Sequence, residues 1–376
     1  MKSIKYANRI DKIEKSELRK IFDKAPSKSI NLGLGEIQFP TPKIISDKAI
    51  DVIKQQNIRY TPNAGLPDLQ KAITNYYNIK LNGNVCVTTG AEEAIFASLF
   101  SFVNPGDEVL IANPTYIAYK TIIKMLDAIV VEFDLNPELG FKLNQNDFSS
   151  KITSKTKVLL LNNPSNPTGK CFSEDEVNFM ISKCIDNNIL IIVDEIYREL
   201  FIKYKPMSFL EKRGKIIVIS GLSKSHCMSG WRIGWAASID PDLIKPIIVS
   251  HQYICTCAPH ISQEIAVTAL SRKGMIAQNK IRKELIANRD FVLDQFKHFL
   301  PDISVLKNTS SPYLFFNVAV DDITFTNEML KQGLIVMPGS IFGSNGKQWI
   351  RLNYALNKKK LAKGIDIIKS ININNI

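Results

Sequence analysis

Six short apolar runs recur along the chain: 84–88 (NVCVT), 108–113 (EVLIAN), 128–133 (AIVVEF), 158–162 (VLLLN), 189–194 (ILIIVD) and 216–220 (IIVIS). Each has the length of a strand and is rich in Val, Ile and Leu. None alternates apolar with polar residues. Strands buried on both faces read this way, so the runs predict a mostly parallel sheet covered by helices. Helical patterns lie between them. The clearest is SEDEVNFMISKCIDNN, which opens on Ser173 and Glu176 as a capping-box pair. Val177, Met180, Ile181, Cys184 and Ile185 then fall on one helical face. Strands alternating with helices predict an α/β fold with a three-layer large domain.

From about residue 281 the texture changes. A charged helical pattern over Ile281–Phe299 stops at Pro301, and strand-like SPYLFFNV, a short helix, IVMPG and WIRLNYA follow. This predicts a smaller α+β unit. The resulting division is 1–40 as an N-terminal arm or part of the small domain, 41–280 as the large domain, and 281–376 as the small C-terminal domain.

Composition narrows the class. With 376 residues, 45% hydrophobic and 22% charged, the chain is neither disordered nor collagen-like, since Gly is only 18. Lys and Arg outnumber Asp and Glu by 48 to 36, a net charge of +12. Residues 1–30 carry +5 and residues 352–376 carry +4, leaving only +3 for the stretch between. A charge excess confined to the ends reads as solvated surface rather than a nucleic-acid footprint. The six cysteines are Cys86, Cys171, Cys184, Cys227, Cys255 and Cys257, with no C-x-x-C pair. They are expected to be free core thiols in a reducing, cytoplasmic location, with no metal site. The N-terminus lacks an apolar signal-peptide core, and no run approaches the ~20 residues of a membrane helix.

The chemistry collects after the apolar runs, where ligands bind in open α/β sheets. NVCVT leads into Thr89-Gly90-Ala91-Glu92, a turn entering a helix, whose free N–H groups suit phosphate. VLLLN leads into Asn163-Pro164-Ser165-Asn166-Pro167-Thr168-Gly169, where two X-Pro steps predict a rigid, extended loop presenting Asn166. ILIIV ends on Asp194, a carboxylate that needs a cation or a capping role there, with Tyr197 three residues on. IIVIS leads into GLSKSHCMSGWRIG, and a partly desolvated Lys224 would be a nucleophilic amine.

In these motifs the chain resembles the fold-type I, pyridoxal-phosphate-dependent aminotransferases of class I and II, from Gly35 to Arg351 and in the family's order. The resemblance is nearest to the branch with aromatic and general amino-acid enzymes. It implies that Lys224 forms a Schiff base with pyridoxal 5'-phosphate and shuttles the α-proton. Asp194 would pair with the pyridine nitrogen. Asn166 and Tyr197 would bond the ring's phenolic oxygen, and Tyr116 would stack on the ring. The phosphate would be held by the Ala91 and Glu92 N–H groups and Arg232, with Ser220 or Ser223 standing in for a hydroxyl that Gly221 lacks. Tyr60 would reach the phosphate of a partner subunit, which implies a homodimer with shared sites. Arg351 would clamp the substrate α-carboxylate, with Gly35 and Asn166 beside it. Cys227 and Ile37 depart from the family's usual small residue and proline.

The implied activity moves an amino group from an L-amino acid, aromatic or broad in type, to a 2-oxo acid such as 2-oxoglutarate. A carbon–sulfur β-lyase is the alternative, and a basic nucleic-acid binder a weaker one. A second cation for dicarboxylates would have to come from Lys120 or His260.

Overall fold

The computed structural model describes residues 5–11, 13, 17–299, 304–306 and 309–370. Its strands are β1 (Ile30–Asn31), β2 (Val85–Thr88), β3 (Glu108–Asn113), β4 (Ile129–Asn136), β5 (Lys142–Leu143), β6 (Thr156–Asn162), β7 (Leu190–Asp194), β8 (Ile216–Gly221), β9 (Gly234–Ala237), β10 (Tyr313–Asn317), β11 (Leu334–Ile335), β12 (Met337–Pro338) and β13 (Trp349–Asn353). Eight of them form one sheet in the order β2-β9-β8-β7-β6-β3-β4-β5. The centre, from β8 to β4, is parallel. β9 runs antiparallel to both its neighbours, and β5 antiparallel to β4.

Both faces of this sheet are covered, which explains the non-alternating runs. Leu159, Leu161, Ile191, Val193 and Val218 face one apolar cluster. Val158, Leu160, Ile192, Ile217 and Ile219 face the other, beneath the helices Ala91–Phe102, Ile117–Met125 and Pro241–Cys255. Consecutive residues are therefore buried on opposite sides.

The capping box on Ser173 is present, and Glu176 does more than cap. Its Oε1 accepts from Leu143 N and from Lys170 Nζ, each at 2.7 Å. These bonds tie the helix start to β5. Ile185 corrects the expected face: it is 52% exposed one residue before the helix ends, while Cys184 beside it stays fully buried, so Ile185 lies at the edge of the covered face.

A second sheet, β10-β13-β12, is antiparallel. Its core takes in Leu285, Val292 and Phe296 of the helix Arg272–Phe299, and Leu361, Ile365 and Ile368 of the helix Lys358–Ser370. The first of these helices begins before residue 281 and runs through it unbroken. Pro301, marked in the sequence as its stop, lies outside the described residues. β1 pairs in parallel with β11, so the N-terminal strand packs against the C-terminal part of the chain. Phe315 of β10 is fully buried, stacked on Trp349 at 5.2 Å and tilted against Phe141 at 5.5 Å.

Phe315→Ala should lower stability by about 3–5 kcal/mol in urea unfolding, because it opens a cavity among aromatic rings. Leu139→Ala, at a side chain 65% exposed, should change it by less than about 0.5 kcal/mol.

Candidate active site

The carboxyl ends of β3, β6, β7 and β8 open into a cavity of about 1040 Å³. Gly35, Ala91, Glu92, Tyr116, Asn166, Asp194, Tyr197, Ser223, Lys224, Arg232 and Arg351 all line it. Tyr60 does not; it is 87% exposed on the single chain.

Asp194 ends β7 and is buried. Its Oδ2 accepts from the Tyr119 hydroxyl at 2.9 Å and its Oδ1 from Ile196 N at 3.0 Å. No cation lies within ion-pair distance among the described residues. Burial raises the carboxyl to about 6, against the lowering pull of these two bonds and of Lys224. The next residue, Glu195, points to the other face. It accepts from Ser208 Oγ and from Phe209 N at 2.7 Å, a structural role.

The loop after β6 is fixed by asparagines. Asn162 Oδ1 accepts from Asn166 N at 2.7 Å, and Asn162 Nδ2 donates to Asp194 O at 2.9 Å. Both Asn-Pro bonds in this loop are cis, a conformation the sequence did not indicate. Asn166 Oδ1 accepts from Arg351 Nη1 at 2.8 Å. Arg351 Nη2 donates to Gly33 O at 2.6 Å, and the guanidinium lies over the rings of Tyr313 and Phe342. Its Nε is buried without a partner among the described residues. Arg351 is 1% exposed and faces no carboxylate among the described residues, so desolvation lowers its pKa.

Tyr197 donates to or accepts from the Tyr313 hydroxyl at 2.9 Å. Burial holds its hydroxyl well above the ordinary range, so it stays a protonated donor. Tyr116 stands edge-on to Tyr119, ring centroids 5.4 Å apart. Lys224, three residues past β8, is half-buried and donates to Gly35 O at 2.5 Å. A Cβ on Gly35 would sit 2.6 Å from the Tyr313 hydroxyl, so any side chain there would push that hydroxyl from its place. Ile37, where a proline is usual in the resembling family, is 4% exposed and packs into the C-terminal core.

An anion cradle lies at the helix Ala91–Phe102. Its N-cap is Gly90, with φ 88°, and no side chain caps the free N–H groups. A Cβ on Gly90 would meet Arg232 Nη2 at 2.5 Å. Arg232 donates to Ser229 O at 3.1 Å and Thr89 O at 3.4 Å, which leaves its guanidinium beside the helix start. Free N–H groups, the helix dipole and a guanidinium together favour a phosphate. Of the two candidate hydroxyls, Ser223 lines the cavity, whereas Ser220 lies within β8, opposite Trp235 of β9.

Sequence reasoning missed Tyr119, Tyr313 and Asn162. Lys120 lines the cavity but is paired with Glu132 at 2.7 Å. His260 lies elsewhere, where its Nδ1 accepts from Arg59 N at 3.0 Å. Cys255 is exposed rather than a core thiol, because it is the last residue of its helix.

The site thus holds a buried carboxylate without a cation, a buried guanidinium without an anion, an uncapped helix start and a half-buried amine. These fit pyridoxal phosphate and an amino-acid carboxylate group for group. No helix among the described residues is long and apolar enough to cross a membrane.

Residues 27–368 match the family model of aminotransferase class I and II. A probable aspartate aminotransferase of Methanocaldococcus jannaschii is 34% identical over 97% of this chain and 99% of its own. A Methanococcus jannaschii structure, described as similar in its active site to kynurenine aminotransferases, is 32% identical. It superposes with a TM-score of 0.89 over 97% of this chain and 99% of its own. A Thermotoga maritima aspartate aminotransferase structure is 26% identical, with a TM-score of 0.90 over 97% and 99%. The cavity at the sheet's carboxyl edge and these full-length likenesses agree: the chain belongs to the class I and II aminotransferases, fold-type I enzymes that move amino groups between amino acids and oxo acids.

Proposed function

We propose that the chain transfers the amino group of an L-amino acid to a 2-oxo acid with pyridoxal 5'-phosphate held in this cavity. The observation that carries the proposal is the set of uncompensated charges around one cavity, each of a sign that the cofactor or substrate would satisfy. When bound, the cofactor supplies an aldehyde and a protonated ring that withdraws electrons from the substrate's α-carbon.

The chain's own residues then have distinct tasks. The phosphate would rest on Ala91 and Glu92 N–H, Ser223 and Arg232. Asp194, steered by Tyr119, would keep the proton on the ring nitrogen. Asn166 and Tyr197 would donate to the phenolic oxygen, and Tyr116 would cover the ring. Lys224 would hold the aldehyde carbon at rest and afterwards move the α-proton, a contribution of about 10²–10⁴-fold. Arg351 would hold the α-carboxylate with Gly35 and Asn166. Amino acid and oxo acid both carry that carboxylate, so one guanidinium serves both halves of a ping-pong cycle. The exposed Tyr60 would complete the phosphate site of a second copy, making the enzyme a homodimer. A cytoplasmic location completes the proposal.

For the donor, we favour aspartate-type substrates with 2-oxoglutarate as acceptor. Relatives named aspartate aminotransferases support this, as does Lys124 on the cavity wall, which has no ion-pair partner among the described residues. The likeness to an active site of kynurenine type supports a second reading, aromatic or broad neutral donors.

A donor panel with 2-oxoglutarate separates the two readings by which amino acids yield glutamate. If none does, and cystathionine instead gives pyruvate and ammonia, the enzyme is a lyase. Lys224→Ala should abolish turnover and the borohydride-reducible chromophore. A fully active variant would refute the role. Arg351→Ala should raise KM for every donor by roughly 10–100-fold, since a charged hydrogen-bonded pair contributes about 1.5–3 kcal/mol.

Asp194→Asn should abolish most turnover yet stabilise the cofactor-free protein. Folding raises this carboxyl from 3.8 to about 6, so the native state holds its proton longer than the unfolded chain. Stability from this group is full below pH 4 and lost as pH rises through 6, a loss on the order of 3 kcal/mol. Thermal melts of the cofactor-free proteins at pH 7 should therefore favour the Asn variant.

A further inference from the structure

Behind the anion cradle, Glu93, His251 and Cys255 converge. The Cys255 thiol lies 3.2 Å from Glu93 Oε1 and 3.6 Å from His251 Nδ1, and that nitrogen lies 2.7 Å from the same oxygen. One ligand atom from each residue lies within 4.8 Å of the other two. We propose that these three side chains form a binding site for a borderline-soft divalent cation of the zinc class. The proposal does not depend on the aminotransferase reading.

The donor set is a thiolate, an imidazole and a carboxylate, the set zinc prefers. With thiolate and carboxylate ionised, a divalent cation is neutralised on the spot. Bonds of about 2.0–2.3 Å in a tetrahedron separate ligand atoms by roughly 3.4–3.6 Å. The present spacings of 2.7–3.6 Å are close to that and need only a small expansion around the ion.

The scaffold holds the ligands from two helices. His251 and Cys255 sit four residues apart near the C-terminal end of the helix Pro241–Cys255, hence on one face. Its carbonyl end favours a cation. Glu93 comes from the first turn of the helix Ala91–Phe102. Its other oxygen, Oε2, accepts from Thr89 N at 2.5 Å and fixes the carboxylate's orientation.

His251 is fully buried, and its Nε2 has no partner among the described residues. Shifting the ring proton to Nε2 therefore breaks no existing bond on that side while freeing Nδ1 for the ion. The Nδ1 bond to Glu93 is replaced by coordination of both groups. Cys255 is exposed on the single chain, so its thiol closes the outer edge of the cluster and leaves a fourth position for a further ligand.

Co²⁺ titration of the cofactor-loaded enzyme, anaerobic and with thiols reduced, tests this. One Co²⁺ per chain should give the visible bands of a tetrahedral thiolate site, at wavelengths longer than cofactor absorption, and Zn²⁺ should erase them. Cys257→Ser should retain the bands. Cys255→Ser, at an exposed helix end that does not threaten folding, should lose them, and His251→Gln should lose them too. Absence of tetrahedral bands in the wild type, or bands that survive Cys255→Ser, would overturn the proposal.

Discussion

Burying a guanidinium without a carboxylate is unfavourable unless its N–H groups and its faces are otherwise occupied. Arg351 sits in that condition on β13, and much of the surrounding structure serves to hold it. One nitrogen donates to the loop after β6, the other to the N-terminal segment at Gly33, and two aromatic rings cover the plane. Asn353, two residues on, donates to the carbonyls of Leu34 and Glu36. Two distant stretches of chain are thereby drawn onto a single strand. The large sheet supplies Asn166, the N-terminus supplies Gly33, and the small sheet supplies the cation.

Asp194 presents the mirror case. Tyr119 and a backbone amide satisfy its oxygens but do not neutralise it, and its raised pKa records the remaining penalty. The two unmatched charges, with the uncapped helix start, leave the site's own residues electrostatically incomplete. Binding energy from ligands of matching sign can then be spent on positioning rather than on displacing internal partners.

The sheet and the strand-end chemistry were legible because both follow from local pattern. Residues covered on two faces must be apolar without alternation, and a polar residue directly after them needs a purpose. Asn166, Asp194 and Lys224 stood out for that reason. Tyr119 and Tyr313 did not, since a tyrosine in a helix or a strand looks like ordinary core until tertiary packing aims its hydroxyl. The strand β9 was also missed: Gly-Trp-Ala-Ala is only four residues long and carries no β-branched signal. The Glu93–His251–Cys255 cluster was beyond any spacing rule, because its acidic member lies 158 positions from the histidine it bonds. Ile185 shows the opposite failure, an apolar residue in the helical period that falls at the edge of the covered face and stays exposed.

The antiparallel course of β9 has a topological consequence. A parallel strand would enter from the far side of the sheet, and the chain would cross the whole layer before returning. Because β9 reverses direction, its first residue, Gly234, pairs with both Thr88 and Gly221 at the functional rim. The chain leaves β8 at this rim and comes back to it through one short excursion. Lys224 lies on the outward limb and Arg232 on the return. Their spacing of eight residues thus lies inside a loop anchored at both ends by Gly221 and Gly234, and an insertion or deletion between them would move one cation relative to the other.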